Sequence, residues 1–356
     1  MELALYHPEQ GYYASGRARI GRKGDFFTNV SVGPIFGKII AAQFLEIWEK
    51  LGGPSQFTIV EQGAHDGQFA ADVLTALRGC DSLEGLSYVI VEPFLVWKKQ
   101  QQEKLLSFRE KISWAESIDQ LDTFTGIHFS NELFDALPVH LYEFSDREWK
   151  EIFVTIDGER LSFDRRREGA PLREASVAAA QLMQKITAKL SRGVILTVDY
   201  GFTRDEYDSP QRSAGTLQVR AQHRKLSSPF EQIGLADISA HVEWTSLIGA
   251  GESAGAKLIG FADQHHFLTG ILAHSPSPHS PSGEAHSARV IWESGRKGVR
   301  AAPGEGSSCN VFATADKRAL QTLLHPEMLG RSFQALALGK NFTGSLNGFR
   351  FGRVLS

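Results

Sequence analysis

Short apolar runs alternate along the chain with segments whose apolar residues recur three and four positions apart. The runs predict buried strands, and the other segments predict amphipathic helices. Strands that alternate with helices at this spacing are typical of βαβ units, so we predict an α/β protein with a mostly parallel sheet and helices on both faces. The predicted strands lie within residues 57–61, 86–92, 112–116, 126–138, 193–201, 258–261 and 331–338, and the predicted helices at about 34–51, 69–77, 95–111, 170–190 and 264–272.

Changes of composition along the chain divide it into a core and additions. Residues 1–53 predict an N-terminal cap, rich in Gly and aromatic residues, followed by a helix. We assign residues 54–274 and 316–345 to the core, with inserted substrate elements at about 140–190 and 203–257. Residues 275–315 are rich in Ser, Pro and Gly without periodicity, which predicts a disordered insertion.

The overall composition narrows the class of protein. With 356 residues, 42% hydrophobic content and a net charge of −3, the chain predicts a globular protein without the basic field that nucleic acids or anionic membranes would favour. It has neither an apolar run of membrane-spanning length nor a signal-peptide pattern, so we predict a cytoplasmic, bacterial protein. Cys80 and Cys309 match no ligand spacing, and His265 and His266 are adjacent on a predicted helix, so no metal site is expected.

The strongest candidate for a binding site is the loop that follows the first strand. Glu61, Gly63 and Gly67 lie between this strand and a helix, where backbone amides and a helix N-terminus are available to a ligand. The spacing lacks the Gly-x-Gly-x-x-Gly of dinucleotide sites. Because Glu61 and Asp66 disfavour a phosphate, the loop suits a cationic or zwitterionic ligand such as S-adenosylmethionine. Asp66 is also a candidate for capping the helix.

Two further positions fit a nucleoside. Glu92 ends the second strand, where a carboxylate can accept hydrogen bonds from both ribose hydroxyls. The alternative is a carboxylate that only starts the turn before Pro93. Ser117 follows the third strand, and the topology alone places it near an adenine ring.

Longer motifs then extend over nearly the whole chain. They include MELALYHPEQGYY at residues 1–13, GDFFT at 24–28, VEQG at 60–63, SNELFDALPV at 130–139, VDYG at 198–201, DISAHV at 237–242 and PEMLG at 326–330. In these motifs the chain resembles the MidA-like S-adenosylmethionine-dependent methyltransferases, whose mitochondrial members are complex I assembly factors that methylate a protein arginine. The resemblance implies a Rossmann-like class I methyltransferase fold, S-adenosylmethionine as cofactor and a protein substrate.

The resemblance also implies roles for single residues. Asp25 and Asn131 are implied in cofactor binding, and Asn131 and Glu132 are expected to face the methyl group. A guanidinium acceptor is cationic and needs carboxylates to hold it, so Glu132 and Asp135 are the predicted catalytic pair, with Asp199 approaching from the next strand. For Asp135 and Asp199 the alternative is a structural role in a turn and at a strand end.

Three other residues complete the predicted site. Tyr200 and His241 are predicted to border the substrate, although a lone histidine is more often structural. His65 stands where the family usually has the middle glycine of Glu-x-Gly-x-Gly-x-Gly, so we expect its side chain where backbone normally approaches the cofactor. Two alternative functions follow: a non-catalytic assembly factor that keeps the fold, and a nicotinamide-dependent oxidoreductase, which the glycine spacing disfavours.

Overall fold

A sheet of eight strands lies at the centre of the protein, and helices cover both of its faces. The computed structural model describes residues 1–18, 21, 28–78, 80, 84–164, 166–167, 169–273 and 317–353. The strands are β1 (Phe57–Gln62), β2 (Leu86–Val91), β3 (Ile112–Ala115), β4 (Phe124–Asn131), β5 (His140–Ser145), β6 (Glu148–Ile152), β7 (Val154–Asp157), β8 (Arg160–Phe163), β9 (Leu172–Ala175), β10 (Leu190–Phe202), β11 (Gln218–Ala221), β12 (Arg224–Lys225), β13 (Asp237–Ser239), β14 (Val242–Glu243), β15 (Lys257–Asp263) and β16 (Phe333–Lys340). The helices are α1 (Glu2–Tyr6), α2 (Ile35–Lys50), α3 (Gln68–Ala76), α4 (Leu95–Lys104), α5 (Val177–Lys189), α6 (Arg204–Tyr207), α7 (Trp244–Ser253), α8 (Gln264–Ala273) and α9 (Lys317–Leu324).

The order of the strands determines where a ligand can bind. The main sheet runs β15–β16–β10–β4–β1–β2–β3, and β14 pairs with the end of β10. The neighbours from β3 to β10 are parallel, whereas β16 is antiparallel to both β10 and β15. The predicted mostly parallel sheet is therefore confirmed. Because the chain reverses its direction of travel across the sheet between β1 and β4, their carboxyl ends form the switch point at which open α/β sheets bind ligands.

Alternation along the strands explains why both faces of the sheet are covered. In β1, Ile59 faces the cluster that contains α2, α3, α8 and α9, and the next residue, Val60, faces the cluster that contains α5 and α7. In β10, Leu196 faces the first of these clusters and Ile195 faces the second. A strand with both alternating sets apolar must be buried on both sides, as these strands are.

Small sheets and the N-terminal segment lie beside the main sheet. Strands β11, β12 and β13 form one three-stranded sheet, and β5, β6 and β9 form another. A third apolar cluster joins the first of these sheets to α1, Tyr12 and Trp97. The N-terminal segment is thus packed against both α4 and the β11–β13 sheet, close to the carboxyl ends of the central strands.

Some details differ from the sequence predictions. Residues 172–175 form β9 rather than the start of a helix, because they pair with β5 across the sheet. Helix α4 ends at Lys104, earlier than expected, and a short 3₁₀ helix follows at Leu106–Phe108. Helices α5 and α7 lie within the stretches predicted as inserted substrate elements, 140–190 and 203–257, and they pack on the main sheet. The predicted domain boundaries stay a prediction, and the predicted insertion at 275–315 lies outside the described residues.

In the part of the chain that the structure describes, no helix combines the length and apolarity needed to cross a membrane. Within the same residues, no group of three or more His, Cys, Asp and Glu side chains is arranged to hold a metal ion. The expectation of a metal-free site stays a prediction.

Gly126, near the start of β4, gives a test of the sheet. Gly126 has a φ of 152°, and a Cβ at this position would lie 1.9 Å from the carbonyl oxygen of Thr58. We expect Gly126→Ala to lower the free energy of unfolding by about 3 kcal/mol or more, because the clash is with backbone of the neighbouring strand. Urea denaturation measures the effect.

The matched control is Gly249→Ala in α7, where an added Cβ meets no atom within 4 Å. This change should raise the free energy of unfolding by about 0.5–1 kcal/mol, since alanine restricts the unfolded chain and favours a helix. Equal effects of the two substitutions would contradict the packing described for Gly126.

Candidate active site

A cavity of about 1150 Å³ opens at the carboxyl ends of β1, β2 and β4. Its wall contains the loop after β1, the end of β2, the turn after β4, the N-terminal segment and the β11–β13 sheet. Pockets for single small ligands usually measure roughly 300–1,000 Å³. The cavity therefore has room for a nucleoside cofactor together with a side chain of a second substrate.

The loop after β1 takes a left-handed backbone conformation at every second residue. The φ angles of Gly63, His65 and Gly67 are 83°, 46° and 80°. A residue with a Cβ costs about 1–2 kcal/mol in this region, so His65 keeps the backbone of a glycine at the expense of strain. Its ring packs on the Trp97 ring, with centroids 4.3 Å apart, and its Nε2 lies 3.4 Å from the carbonyl oxygen of Ala18.

Asp66 joins the loop to the two helices beside it. Its carboxylate accepts hydrogen bonds from the backbone N–H of Gln68, at 3.1 Å, and from Lys104 Nζ, at 2.5 Å. Burial opposes ionisation of Asp66, but hydrogen bonds from His65 and Lys104 outweigh it and lower the pKa of this carboxyl below its usual value. The Asp66 carboxylate thus holds the first turn of α3 against α4.

Gln101 connects three parts of the site and was not identified from the sequence. Its Nε2 donates to the carbonyl oxygen of His65, at 2.7 Å, and to Glu92 Oε2, at 3.0 Å. Its Oε1 accepts from Trp114 Nε1 at 2.9 Å, and the side chain is fully buried. The available signal was its spacing of four residues from Trp97, which places both on the inner face of α4.

Two buried carboxyls line the part of the cavity next to the loop. Glu61 accepts a hydrogen bond from the Tyr88 hydroxyl at 2.7 Å, and burial raises its pKa to about 8. Glu92 accepts the backbone N–H of Phe94 at 2.9 Å, and burial raises its pKa to about 7. A cation in the cavity would favour the ionised forms. This donor and acceptor set fits a ligand that carries both hydroxyls and positive charge, as S-adenosylmethionine does.

At the end of β4, Asn131 and Glu132 form a strained polar pair. Glu132 has a φ of 54°, and its backbone N–H donates to the carbonyl oxygen of Val198 at 2.9 Å. Asn131 donates to Glu132 Oε1 at 2.8 Å and accepts from Asn29 Nδ2 at 3.0 Å. Burial raises the pKa of Glu132 to about 8. Strain of this kind concentrates at functional sites, which makes the pair a candidate for the reacting position.

Asp199 lies beneath this pair and does not line the cavity. Its Oδ2 accepts the backbone N–H groups of Leu133, Phe134 and Asp135, at 3.1, 2.8 and 3.3 Å. Its Oδ1 accepts the N–H of Tyr200 at 2.8 Å. Burial raises the pKa of Asp199 to about 7 even though these bonds act against the rise. With its oxygens occupied by backbone, the geometry supports a positioning role for Asp199 rather than contact with substrate.

The cavity has an acidic wall, which consists of Glu132, Asp135 and Asp237. Burial, followed by the charges of Asp199, Glu132 and Asp237, raises the pKa of Asp135 well above its usual value. The carboxylate of Asp237 accepts the Tyr13 hydroxyl at 2.7 Å. Long-range contacts bring Asp237 to the site: the pairing of β13 with β11, and the bond from the Ala240 N–H to the Asp135 carbonyl oxygen at 2.9 Å.

The remaining predicted residues divide between the cavity and its surroundings. Tyr200 and His241 line the cavity with their rings stacked at 6.2 Å, and burial, then Arg212 and Arg220, lower the pKa of His241 to about 4. Ser117 does not line the cavity, because its hydroxyl accepts the N–H of Asp119 and caps a short 3₁₀ helix. Gly67 belongs to the loop but does not line the cavity, and Asp25 is outside the described residues.

Comparisons with known proteins agree with this geometry. Residues 39–262 match the family described as "Putative S-adenosyl-L-methionine-dependent methyltransferase". The chain is 27% identical over 311 residues to the Drosophila melanogaster protein named "Protein arginine methyltransferase NDUFAF7 homolog, mitochondrial", covering 75% of this chain and 69% of that protein. It is also 27% identical over 316 residues to the Homo sapiens "Protein arginine methyltransferase NDUFAF7, mitochondrial", with 75% and 68% covered.

A solved structure is similar over almost the whole chain. It is described as a "likely methyl transferase from Burkholderia thailandensis bound to S-adenosyl-homocysteine". The TM-score is 0.79 at 28% sequence identity, and the match covers 99% of this chain and 89% of that one. The α/β methyltransferase fold is therefore confirmed.

His65 gives a test of the loop. We expect His65→Gly to keep the dissociation constant for S-adenosylmethionine within about threefold of the wild-type value, because relief of backbone strain offsets the lost contact with Trp97. Isothermal titration calorimetry measures this constant. A loss of affinity by more than about tenfold, equal to about 1.4 kcal/mol, would show that the imidazole itself contacts the cofactor.

Gly67→Ala provides the contrast in the same loop. Gly67 has a φ of 80°, and a Cβ there would lie 3.2 Å from Leu105 Cδ1 and 3.3 Å from Gln101 Cγ. Since both strain and crowding result, we expect this variant to bind S-adenosylmethionine at least about tenfold more weakly.

Proposed function

The chain belongs to a family of S-adenosyl-L-methionine-dependent methyltransferases, and from this premise we propose that it methylates an arginine side chain of a protein. The observation that carries the proposal is the acidic wall of Glu132, Asp135 and Asp237 in the cavity. The names of the curated relatives, which are protein arginine methyltransferases, support the same acceptor.

The acidic wall suits a guanidinium better than a neutral or anionic acceptor. A guanidinium is planar, stays charged at any accessible pH and offers five N–H donors in fixed directions, which carboxylates accept in pairs. Carboxyl groups on one side of the cavity would hold two of its nitrogens. The third nitrogen would then remain directed away from the wall.

A charged guanidinium is a poor nucleophile, so the site must also take a proton from it. When bound, S-adenosylmethionine supplies a methyl group on a sulfonium, whose in-line transfer depends mainly on alignment. We assign Glu132 as the proton acceptor, because burial places its pKa near 8, close to working pH. Asp135 and Asp237 hold the guanidinium, and Asp199 positions Glu132 and Asp135 through the backbone of their turn.

The cofactor would lie against the loop after β1. We propose that Glu61, Gly63, His65 and Asn131 line its position and that Glu92 accepts its ribose hydroxyls. Gly67 and Asp66 shape the loop, Asp66 through its hydrogen bonds with Gln68 and Lys104. Tyr200 and His241 border the acceptor, on the side of the cavity opposite the loop. Ser117 lies outside the cavity wall, so any contribution that it makes to cofactor binding is indirect.

Membership of the family favours the methyltransferase over both alternative functions. One ground for the non-catalytic alternative is His65, but this residue keeps the backbone conformation of a glycine. The predicted cytoplasmic, bacterial setting stays a prediction: the curated relatives have mitochondrial names, and the similar solved structure is from a bacterium.

The direct test is labelled-methyl transfer to an arginine peptide by wild type and Glu132→Gln. We expect the variant to lose transfer by about 100-fold or more, because it cannot take the proton, while calorimetry shows unchanged cofactor binding. Glu252→Gln, at an exposed position of α7, is the control and should be fully active. A fully active Glu132→Gln would refute the assigned role. Transfer to lysine peptides but not to arginine would refute the acceptor.

The raised pKa of Glu132 predicts a pH dependence. Only the ionised carboxylate pairs with a guanidinium, so activity should increase as the proton leaves a group whose pKa is about 8. We expect kcat/KM for the acceptor to rise between about pH 6 and 8, by up to about tenfold per unit, and then to level off. Initial rates at saturating cofactor measure the profile. A flat profile across this range would contradict the role of a buried carboxyl.

A further inference from the structure

The small β11–β13 sheet presents two chemically different faces. The strands β11 and β13 are antiparallel, with Gln218 opposite Ser239 and Arg220 opposite Asp237. These four polar residues line the cavity. The alternate residues Val219, Ala221 and Ile238 pack in the apolar cluster with the N-terminal segment. The sheet is therefore a floor of the cavity, and its register places Arg220 beside Asp237 of the acidic wall.

The turn between β11 and β12 extends this floor to the mouth of the cavity. Its two central residues, Gln222 and His223, have φ angles of 50° and 60°, and Ala221 pairs with Arg224 across it. Two-residue hairpin turns of this type favour Asn and Gly because both positions need positive φ. Here neither residue is glycine, and His223 lines the cavity while Arg224 and Lys225 follow on the exposed strand.

Two exposed cations, Arg220 and Lys225, are directly opposite each other on the cavity face of this hairpin, and we name them the basic rim; Arg224 is opposite Ala221, on the other face. Arg220 donates to Gln218 Oε1 through two nitrogens, at 3.2 and 2.8 Å. Among the described residues, no Asp or Glu oxygen lies within 4.0 Å of a rim nitrogen, whereas Arg173, Arg204 and Arg353 each have such a partner. In a chain with a net charge of −3, the rim places positive charge next to the acidic wall.

The acid nearest in sequence does not neutralise the rim. Glu231 accepts hydrogen bonds from Ser227, through its hydroxyl at 2.5 Å and its backbone N–H at 3.2 Å. Along the cavity floor, the acid that neighbours the rim is Asp237, which accepts the Tyr13 hydroxyl. Positive charge at the mouth therefore adjoins negative charge in the interior.

We propose that the basic rim binds acidic residues beside the acceptor arginine, so that the protein substrate presents its arginine within an acidic segment. The inference rests on the proposed arginine acceptor. Because Arg220 and Asp237 are directly opposite, with Cα atoms about 4.5–5.5 Å apart in such pairs, an arginine held at Asp237 brings its neighbours within reach of Arg220. Exposed ion pairs contribute little energy singly, but a cluster of one sign steers association and selects partners.

The test uses three peptides that contain one arginine flanked by glutamates, by glutamines or by lysines. We expect wild type to bind the glutamate peptide at least about fivefold more tightly than the glutamine peptide at low salt, and the lysine peptide most weakly. The preference should shrink as salt increases, because salt screens exposed charges. Fluorescence anisotropy gives the dissociation constants, and labelled-methyl transfer gives kcat/KM for the same peptides.

Charge reversal at the rim, Arg220→Glu together with Lys225→Glu, should invert the order of the peptides. The matched control, Arg109→Glu with Lys257→Glu, changes the net charge equally at exposed positions away from the cavity and should keep the wild-type order. Equal binding of the three peptides by wild type would overturn the proposal. An equal effect of both double variants would also overturn it, since bulk charge would then explain the preference.

The two proposals fail in different ways. If the acceptor is not arginine, no arginine peptide is methylated, whatever its flanking residues. If only the rim proposal is wrong, arginine peptides are methylated without regard to flanking charge. Binding measured without turnover tests the rim in either case.

Discussion

The carboxylate of Asp199 is the interaction on which the site depends. It accepts three successive backbone N–H groups after β4 and one on its own strand, and so ties β10 to the turn that presents Glu132. Hydrogen bonds to a charged group contribute about 1.5–3 kcal/mol each. This is enough to hold Glu132 in a left-handed conformation whose strain amounts to about 1–3 kcal/mol. The bond from the Glu132 N–H to the Val198 carbonyl oxygen, at 2.9 Å, and the one from Asn131 to Glu132 Oε1, at 2.8 Å, act together with this anchor.

Burial of the carboxyl groups has an electrostatic consequence for the whole cavity. Burial raises the pKa of Glu61 and Glu132 to about 8 and of Glu92 and Asp199 to about 7. Because these values exceed those of the unfolded chain, folding takes up protons, and the contribution of these groups to stability is lost as pH rises through about 7–8. A sulfonium or a guanidinium in the cavity favours the ionised forms and opposes this loss. The buried carboxyls thus contribute least to the stability of the empty site at the pH at which they are ionised and bind cations best.

The sequence predicted the parts of the site that local patterns determine. The loop from Glu61 to Gly67 and the acid at Glu132 each follow a buried strand, and strands are visible as apolar runs. Gln101 and Asp237 could not be assigned in this way, since their partners Glu92 and Tyr13 are reached only through packing of α4 and the N-terminal segment. The prediction of a helix over 170–190 was wrong at its start. There, long-range pairing with β5 overrides local helix propensity.

The N-terminal segment joins the two ends of the cavity. The carbonyl oxygen of Tyr13 accepts a hydrogen bond from Trp97 Nε1 at 2.8 Å, beside the loop after β1, while the hydroxyl of the same residue donates to Asp237 in the acidic wall. The hydroxyl of Tyr6 donates to the carbonyl oxygen of Ala136 at 2.8 Å, in the turn that Asp199 anchors. One aromatic segment therefore sets the distance between the His65 side of the cavity and its carboxylates. Transfer between two bound groups needs that distance to be constant, because alignment is its main requirement.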